Sequence, residues 1–456
     1  MPERREFIKK GLMGSAGIVI GGMGLTAKSY ASILGANERI NVAVVGVRGQ
    51  GGTHINSWSK LKDNRNVQLK TLCDVDEAEW AKACKAATDI SGVTPKTEWD
   101  MHKVFDDKDI HAVSFAIPNH WHALATIMAC QAGKHVYVEK PASHNIFEGR
   151  KMIEAARKYK VRVQVGFQNR SISNVMDAMK FLHEGGIGDV YMARGLCYKP
   201  RNSFGIAKDS EPPATLHYER WLGPAPYRPY NEKRVHYNWH WHWATGNGDT
   251  GNQGPHQFDI ARWGLNKNDH PVSVMSMGNI YGFTPAECSQ ETPNTQNSVF
   301  KYKDGKMLEF ETRGRYTNEE SSVGIRIGNM FYGTNGYLEL DGGTWKAYRT
   351  TEKEPFAGSK AGEKKAADPT FLAPPGGTDH YANFLDAIRA GKDDMLHCDI
   401  NEGFHSSALP LLANISHRLG RSLQFNGETE KFVNDNEADA MLTREYRKPY
   451  VVPSKV

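Results

Sequence analysis

The sequence predicts an α/β protein: a doubly wound parallel sheet over 37–166, then a second α/β domain over 167–456 whose sheet is mostly antiparallel. Three observations carry this. Between residues 40 and 165, short apolar, β-branched runs alternate with helical periodicity, as repeated β-α-β units require. The first run, 40–45, stops at a glycine cluster (Gly46, Gly49, Gly51, Gly52), and an acid, Asp74, ends the next run 22 residues past Gly52. From 272 to about 349 the helical pattern disappears and strands recur between turn signals such as Lys303-Asp-Gly305 and Asp341-Gly-Gly343.

Taken in order, the chain opens on a segment that does not belong to the fold. Glu3 to Lys10 is basic, and 11–25 is apolar and rich in small residues. That stretch is too short and too glycine-rich for a stable spanning helix, so no membrane span is expected in the mature protein. Arg4-Arg5 ahead of Phe7-Ile8-Lys9 resembles a twin-arginine export signal, with cleavage expected near Ser29-Tyr30-Ala31 or at Ala36. Residues 1–36 are therefore assigned to a signal segment and the mature protein to the periplasm; an uncleaved membrane anchor is the alternative.

Strands are expected over 40–45, 67–73, 112–117, 135–139 and 161–165, with helices over 80–90, 121–131 and 145–159, the last capped by Asn145. In such a sheet ligands lie beyond the carboxyl ends of the strands. The glycines allow a backbone to approach a bound group, and the helix that follows aims its N-terminus at a phosphate. Asp74 stands where a ribose hydroxyl is bound. The candidates for a dinucleotide are thus Gly46, Arg48, Gly49, Gln50, Gly51, Asp74, Pro118, Asn119, His122, Glu139, Lys140 and Gln168. His120 and Arg170, also past strand ends, are candidates for a substrate.

Beyond 167, helices are expected over 175–183, from 256 to 263, over 379–390 and over 402–419, with a strand beginning at 189 and a long aromatic, Pro-rich loop over 199–250. The segment 352–375 reads as a surface loop. Two stretches could do chemistry. Lys140, followed by Pro141, is held extended at a strand end, where its ammonium could stabilise an alkoxide; on local evidence a surface lysine is an equal alternative. His256 follows Pro255, which suits the first turn of a helix, and shares a face with Asp259. Read as a strand, Tyr237-Asn-Trp-His-Trp-His-Trp243 places His240 and His242 on one face and Trp239, Trp241 and Trp243 on the other. With only His236 as a third ligand, this suits the flat face of a sugar better than a metal, and no metal is expected. Packing between domains is the plain alternative.

The remaining bounds are broad. With 456 residues, 39% hydrophobic and 24% charged, the composition is that of an ordinary globular protein. A net charge of +5 without a basic stripe argues against a nucleic-acid partner. Six scattered cysteines form no C-x-x-C pair, so neither a zinc knuckle nor a redox motif is signalled.

The glycine turn with Asp74, Pro118-Asn-His-Trp-His122, Gly133-Lys-His-Val-Tyr-Val-Glu-Lys-Pro141, Gln164-Val-Gly-Phe-Gln168, Trp221-Leu-Gly-Pro224 and the Gly-x-His at His256 occur in that order. With these the chain closely resembles the glucose–fructose oxidoreductase / inositol dehydrogenase (Gfo/Idh/MocA) family. The resemblance implies a Rossmann domain followed by an α/β domain with an open, mostly antiparallel sheet, often oligomeric through that sheet, so a homo-oligomer is expected. It also implies bound NAD(H) or NADP(H), and Asp74 favours NAD. Lys140 would lie beside substrate and nicotinamide, and His256 would be the acid/base. Asn252 stands where the family often has an aspartate; it can orient a substrate hydroxyl but not take its proton, which leaves Asp249 or Asp259 as helpers of His256. The expected activity is oxidation of a secondary hydroxyl of a sugar or glycoside, with a second sugar or an unidentified electron acceptor closing the cycle. Glycoside hydrolysis through transient C3 oxidation, and sugar binding without catalysis, are the alternatives.

Overall fold

The structure is a computed structural model that describes residues 38–315, 324–342, 344–349, 351–359 and 379–456. The expected signal segment, Gly343 of the second turn signal, and most of the 352–375 loop lie outside the described residues. Among those described, no helix is long and apolar enough to cross a membrane.

The front sheet has six parallel strands: β1 (Ile40–Val45), β2 (Val67–Cys73), β3 (Lys96–Glu98), β4 (Ala112–Phe115), β5 (His135–Glu139) and β6 (Val163–Gly166), in the order β3-β2-β1-β4-β5-β6. Order reverses between β1 and β4, which pair in register from Val42 with Ala112 to Val45 with Phe115. Val42, Ala43 and Val44 are all fully buried although neighbours point to opposite faces, so helices cover both sides of the sheet. The crossovers include α1 (Gln50–Lys60), α2 (Trp80–Ser91), α3 (Met101–Asp106), α4 (Asn119–Gln131) and α5 (Ile146–Tyr159). Asn145 caps α5 by accepting the backbone N–H of Glu148 at 2.9 Å. Helix α4 starts two residues earlier than its apolar periodicity suggests, because Pro118 takes the extended N-cap position.

After α6 (Ser173–His183) and β7 (Val190–Cys197), a long excursion contains only α7 (Tyr218–Leu222) and a 3₁₀ turn, His236–Trp241. Then come α8 (Gly248–Asn252), α9 (Gly254–Gly264), β8 (Ser273–Asn279), β9 (Thr295–Lys301), β10 (Met307–Arg313), β11 (Ile327–Gly333), β12 (Gly336–Asp341), β13 (Thr344–Tyr348), β14 (Ala357–Gly358), α10 (His380–Ala390), α11 (Ile400–Leu419), β15 (Leu423–Asn426) and β16 (Lys431–Phe432). Among the described residues the second sheet has ten strands in the order β14-β13-β12-β11-β7-β10-β9-β8-β15-β16. It is mixed: β7 and β10 run parallel and the other pairs antiparallel. Helices α9 and α11 pack on one face. Burial alternates along β8, from buried Val274 and Ser276 to exposed Met275 and Met277, so the other face carries open apolar side chains.

Candidate active site

The glycine turn is built to admit a ligand. Gly46 has φ +82°, and a Cβ there would lie 2.4 Å from the Ala116 carbonyl oxygen; a Cβ on Gly51 would lie 2.0 Å from that of Gly46. Gly49, at φ +57°, caps α1 without any side-chain cap bond, so the positive end of the helix is left for an anion. Asp74 follows β2. Its Oδ2 accepts the Val47 N–H at 2.8 Å and its Oδ1 the Asp76 N–H at 2.9 Å, leaving a lone pair on each oxygen for a ribose hydroxyl. Burial pushes its pKa up to about 6, against the lowering effect of those two bonds.

A cavity of about 320 Å³ runs from this turn past the ends of the strands, a size typical of small-molecule sites. Its lining includes Gly46, Arg48, Gly49, Gln50, Asp74, Pro118, Asn119, His122, Glu139 and Lys140 from the front sheet, and Trp239, His240, Asn252 and His256 from beyond it. The cradle that a Cβ would fill, the open helix end and Asp74 fit a nicotinamide dinucleotide.

At the end of β5, Glu139 ties the site together. Its Oε1 accepts from Gln50 Nε2 (3.1 Å), His54 Nε2 (3.1 Å) and Gln168 Nε2 (2.8 Å), joining α1, β5 and the turn after β6. Burial opposes its ionisation, but the His54 bond and the nearby cations bring its pKa down to about 2. Lys140, joined to Pro141 by a cis peptide, reaches across to donate from Nζ to the Asn252 backbone carbonyl at 2.9 Å. His256 sits in the first turn of α9 behind Pro255. It is 5% exposed, and its Nδ1 is sealed from solvent with no hydrogen-bond partner. Burial, then the charge of Lys140, lowers its pKa to about 3, so the imidazole is neutral.

Several expected residues stand elsewhere. Asp259 is not on the cavity. Its carboxylate is gripped by Arg170 through three contacts of 2.8–3.0 Å and accepts Ser406 Oγ–H at 2.6 Å. Arg170 is thereby committed as well, and neither lines the cavity. Asp249, the other expected helper, is paired with Arg201 at 2.8–2.9 Å. His120 is buried against the Trp221 carbonyl at 3.0 Å, while Gly51 and Gln168 support the lining without joining it.

The aromatic stretch is a 3₁₀ turn, not a strand. At three residues per turn, alternation is lost. Sequence neighbours Trp239 and His240 stack at 3.6 Å and both line the cavity, whereas Trp241 turns inward under the Arg201 guanidinium at 5.0 Å. Among the described residues, no three His, Cys, Asp or Glu side chains gather as metal ligands.

Some polar contributors had no sequence assignment. His54 lies one turn into α1 and donates to Glu139, while Lys199, Arg201 and Tyr237 line the cavity from the long excursion. Lys199 and Arg201 follow β7, whose sheet is mixed, so the rule that reads ligands off parallel strand ends gave no cue there.

Residues 40–167 match the Gfo/Idh/MocA oxidoreductase family, NAD-binding Rossmann fold, and residues 203–332 with 367–452 match that family's C-terminal alpha/beta domain. The chain belongs to the Gfo/Idh/MocA oxidoreductase family. Its front sheet is the family's NAD-binding Rossmann domain. A levoglucosan dehydrogenase of Pseudarthrobacter phenanthrenivorans is 35% identical over 121 residues, 26% of this chain and 30% of that protein. A glycosyl hydrolase family 109 protein of Saccharopolyspora erythraea is 27% identical over 165 residues, 35% of each. The chain thus spans about a third of the length of these curated relatives. The WlbA dehydrogenase of Bordetella pertussis, solved with NADH and UDP-GlcNAcA, superposes with a TM-score of 0.60 at 19% identity, covering 85% of this chain and 99% of that one. That likeness is one of fold.

Proposed function

We propose that this Gfo/Idh/MocA protein is an exported, NAD-dependent oxidoreductase that converts a secondary hydroxyl of a sugar or glycoside to a keto-sugar, or runs the reverse. The observation that carries the reading is that Lys140 and His256, from the two sheets' separate halves of the chain, line one cavity with the glycine turn and Asp74. When bound, the nicotinamide supplies a two-electron acceptor for the carbinol carbon. The Lys140 ammonium then stabilises the developing alkoxide. His256 is neutral and takes the hydroxyl proton; with Nδ1 sealed, Nε2 is the nitrogen that receives it. Asn252 orients the substrate. Trp239 and His240 offer the sugar ring a flat face.

Arg4-Arg5 and the apolar stretch behind it support export by the twin-arginine route. That route carries folded proteins, so the cofactor is acquired before export and held tightly. A second sugar or another electron acceptor completes the cycle. The exposed apolar face of the second sheet, with Met277 66% and Tyr191 52% exposed, supports a homo-oligomer.

The test is to incubate the purified protein with a panel of sugars and glycosides, following the reduced-nicotinamide absorbance and analysing products. Keto-sugar formation supports the reading. Release of aglycone without net keto-sugar supports the second reading, hydrolysis through transient oxidation, which the likeness to the family 109 protein favours.

A further inference from the structure

Among the described residues four histidines line the cavity, His122, His236, His240 and His256, and their polar edges differ. His122 has both ring nitrogens against carbonyls, Nδ1 2.7 Å from that of Pro141 and Nε2 2.8 Å from that of Ile117. His236 has its Nε2 3.9 Å from Asp76 Oδ2. His256 has its Nδ1 sealed without a partner, and its Nε2 serves the reacting hydroxyl. His240 has one nitrogen fixed and the other open.

The fixed nitrogen is Nδ1, 2.6 Å from the Tyr237 carbonyl oxygen. A carbonyl can only accept, so Nδ1 carries the hydrogen. Burial lowers the pKa of His240 to about 3 against the opposing pull of that bond, and the charges of Lys140 and Arg201 add to the lowering. The ring is therefore neutral, and Nε2 holds a lone pair and no hydrogen. Among the described residues nothing bonds to Nε2, and unlike His256 Nδ1 it is not sealed from solvent. The ring is also held in place. It stacks on Trp239 with centroids 3.6 Å and planes 20° apart, and a flip would give up the Tyr237 bond.

An acceptor fixed in this way selects a donor, because leaving it unmatched costs more than a matched bond gains. The charge of Lys140 acts on both His240 and His256, so the two imidazoles border one ammonium. Hydroxyls on neighbouring carbons of one ring fit that arrangement, the first on Lys140 and His256 and the second on His240.

We propose that His240 determines specificity: its Nε2 accepts a hydrogen bond from a second hydroxyl of the substrate, on a carbon next to the one oxidised. This rests on the sugar-oxidation reading of the same cavity.

The test compares methyl glycosides of the gluco, galacto and manno series with their monodeoxy and monodeoxyfluoro forms. Fluorine fills the place of a hydroxyl without its hydrogen. Binding to the full-length purified protein is followed by tryptophan fluorescence, and the oxidised carbon is identified from the product. In at least one series, loss of a hydroxyl next to that carbon should weaken binding about tenfold, and fluorine should not restore it. In His240→Asn the amide stands near the place of Nδ1 and nothing stands at Nε2, so parent and deoxy forms should bind equally. In His240→Gln the amide stands near the place of Nε2, so part of the preference should return. His240→Leu, which also lacks an acceptor, takes the place of His240→Asn if circular dichroism shows that variant unfolded. An equal loss for parent and deoxy forms in these variants would show a purely structural role and overturn the proposal. So would equal binding of all forms by the wild-type protein, fluoro forms that bind like the parent, no glycoside binding, or a preference traced only to a hydroxyl elsewhere on the ring. The two readings fail separately. A hydroxyl preference that depends on His240 without cofactor reduction would remove sugar oxidation and leave the contact; oxidation without that preference would do the reverse.

Discussion

Lys140 and Asn252 meet across 112 residues of sequence, with the lysine ammonium 2.9 Å from the backbone carbonyl of Asn252. The contact uses the backbone, so it depends on where α8 lies and not on which side chain residue 252 carries. It also holds the lysine at the point where the front sheet faces the elements that carry His256.

Under the proposed mechanism, Lys140→Ala and His256→Ala should each lower sugar oxidation by on the order of 10² or more, one by removing the charge assigned to the forming alkoxide and the other the group assigned as proton acceptor. Both variants should still purify with NAD(H), since the glycine turn and Asp74 are untouched. Steady-state turnover and the cofactor content of denatured protein measure the two effects separately. Near-normal turnover in His256→Ala would reassign the proton acceptor.

Asn252→Asp should be milder, within about tenfold in turnover. The backbone bond to Lys140 survives it, and the side chain has only a long 3.5 Å contact with the Tyr237 hydroxyl. A loss as large as that of His256→Ala would mean that the amide itself is indispensable.

Asp74 should set a pH-dependent preference for NAD(H) over NADP(H). With its pKa pushed up to about 6 by burial, the carboxylate is ionised above that pH and repels a 2′-phosphate, and it is neutral below. The ratio of dissociation constants, measured on cofactor-stripped protein, should therefore fall between about pH 7.5 and about pH 5, and Asp74→Asn should flatten the dependence. A preference for NADP(H) in the wild-type protein would point to Arg48 in the glycine turn.

Asp259 should matter for stability. It forms a buried pair with Arg170, with side-chain exposures of 1% and 9%. Asp259→Ala leaves that buried guanidinium with only Glu402, 3.2 Å away, as its acid, and should cost about 3 kcal/mol in denaturant titrations. Intact folding stability with abolished turnover would instead return Asp259 to the chemistry.

Export should depend on the twin arginines. Changing Arg4-Arg5 to Lys-Lys should hold the precursor in the cytoplasm, as read by fractionation. An unchanged periplasmic yield would exclude the twin-arginine route.

Local pattern was enough for much of this protein. The alternation of apolar runs and helical periodicity specified the parallel sheet, because both faces of each strand are buried and each crossover must cover one of them. The glycines and Asp74 were legible because a tight turn and a strand-end acid leave a mark within a few residues. Lys140 and His256 could be located for the same reason, each standing beside a proline that restricts the backbone. Tertiary structure decided the rest. That Asp259 serves Arg170, that Asp249 serves Arg201, and that Asn252 offers its carbonyl to Lys140 all depend on partners 48 to 112 residues apart. The same holds for Trp239 and His240, which line one cavity because a 3₁₀ turn replaces the expected strand, and for Lys199, placed by the mixed sheet. Periodicity in sequence reports which face of an element is buried, but a pairing between distant charged groups leaves no period, and only the folded chain shows which acid each cation has found.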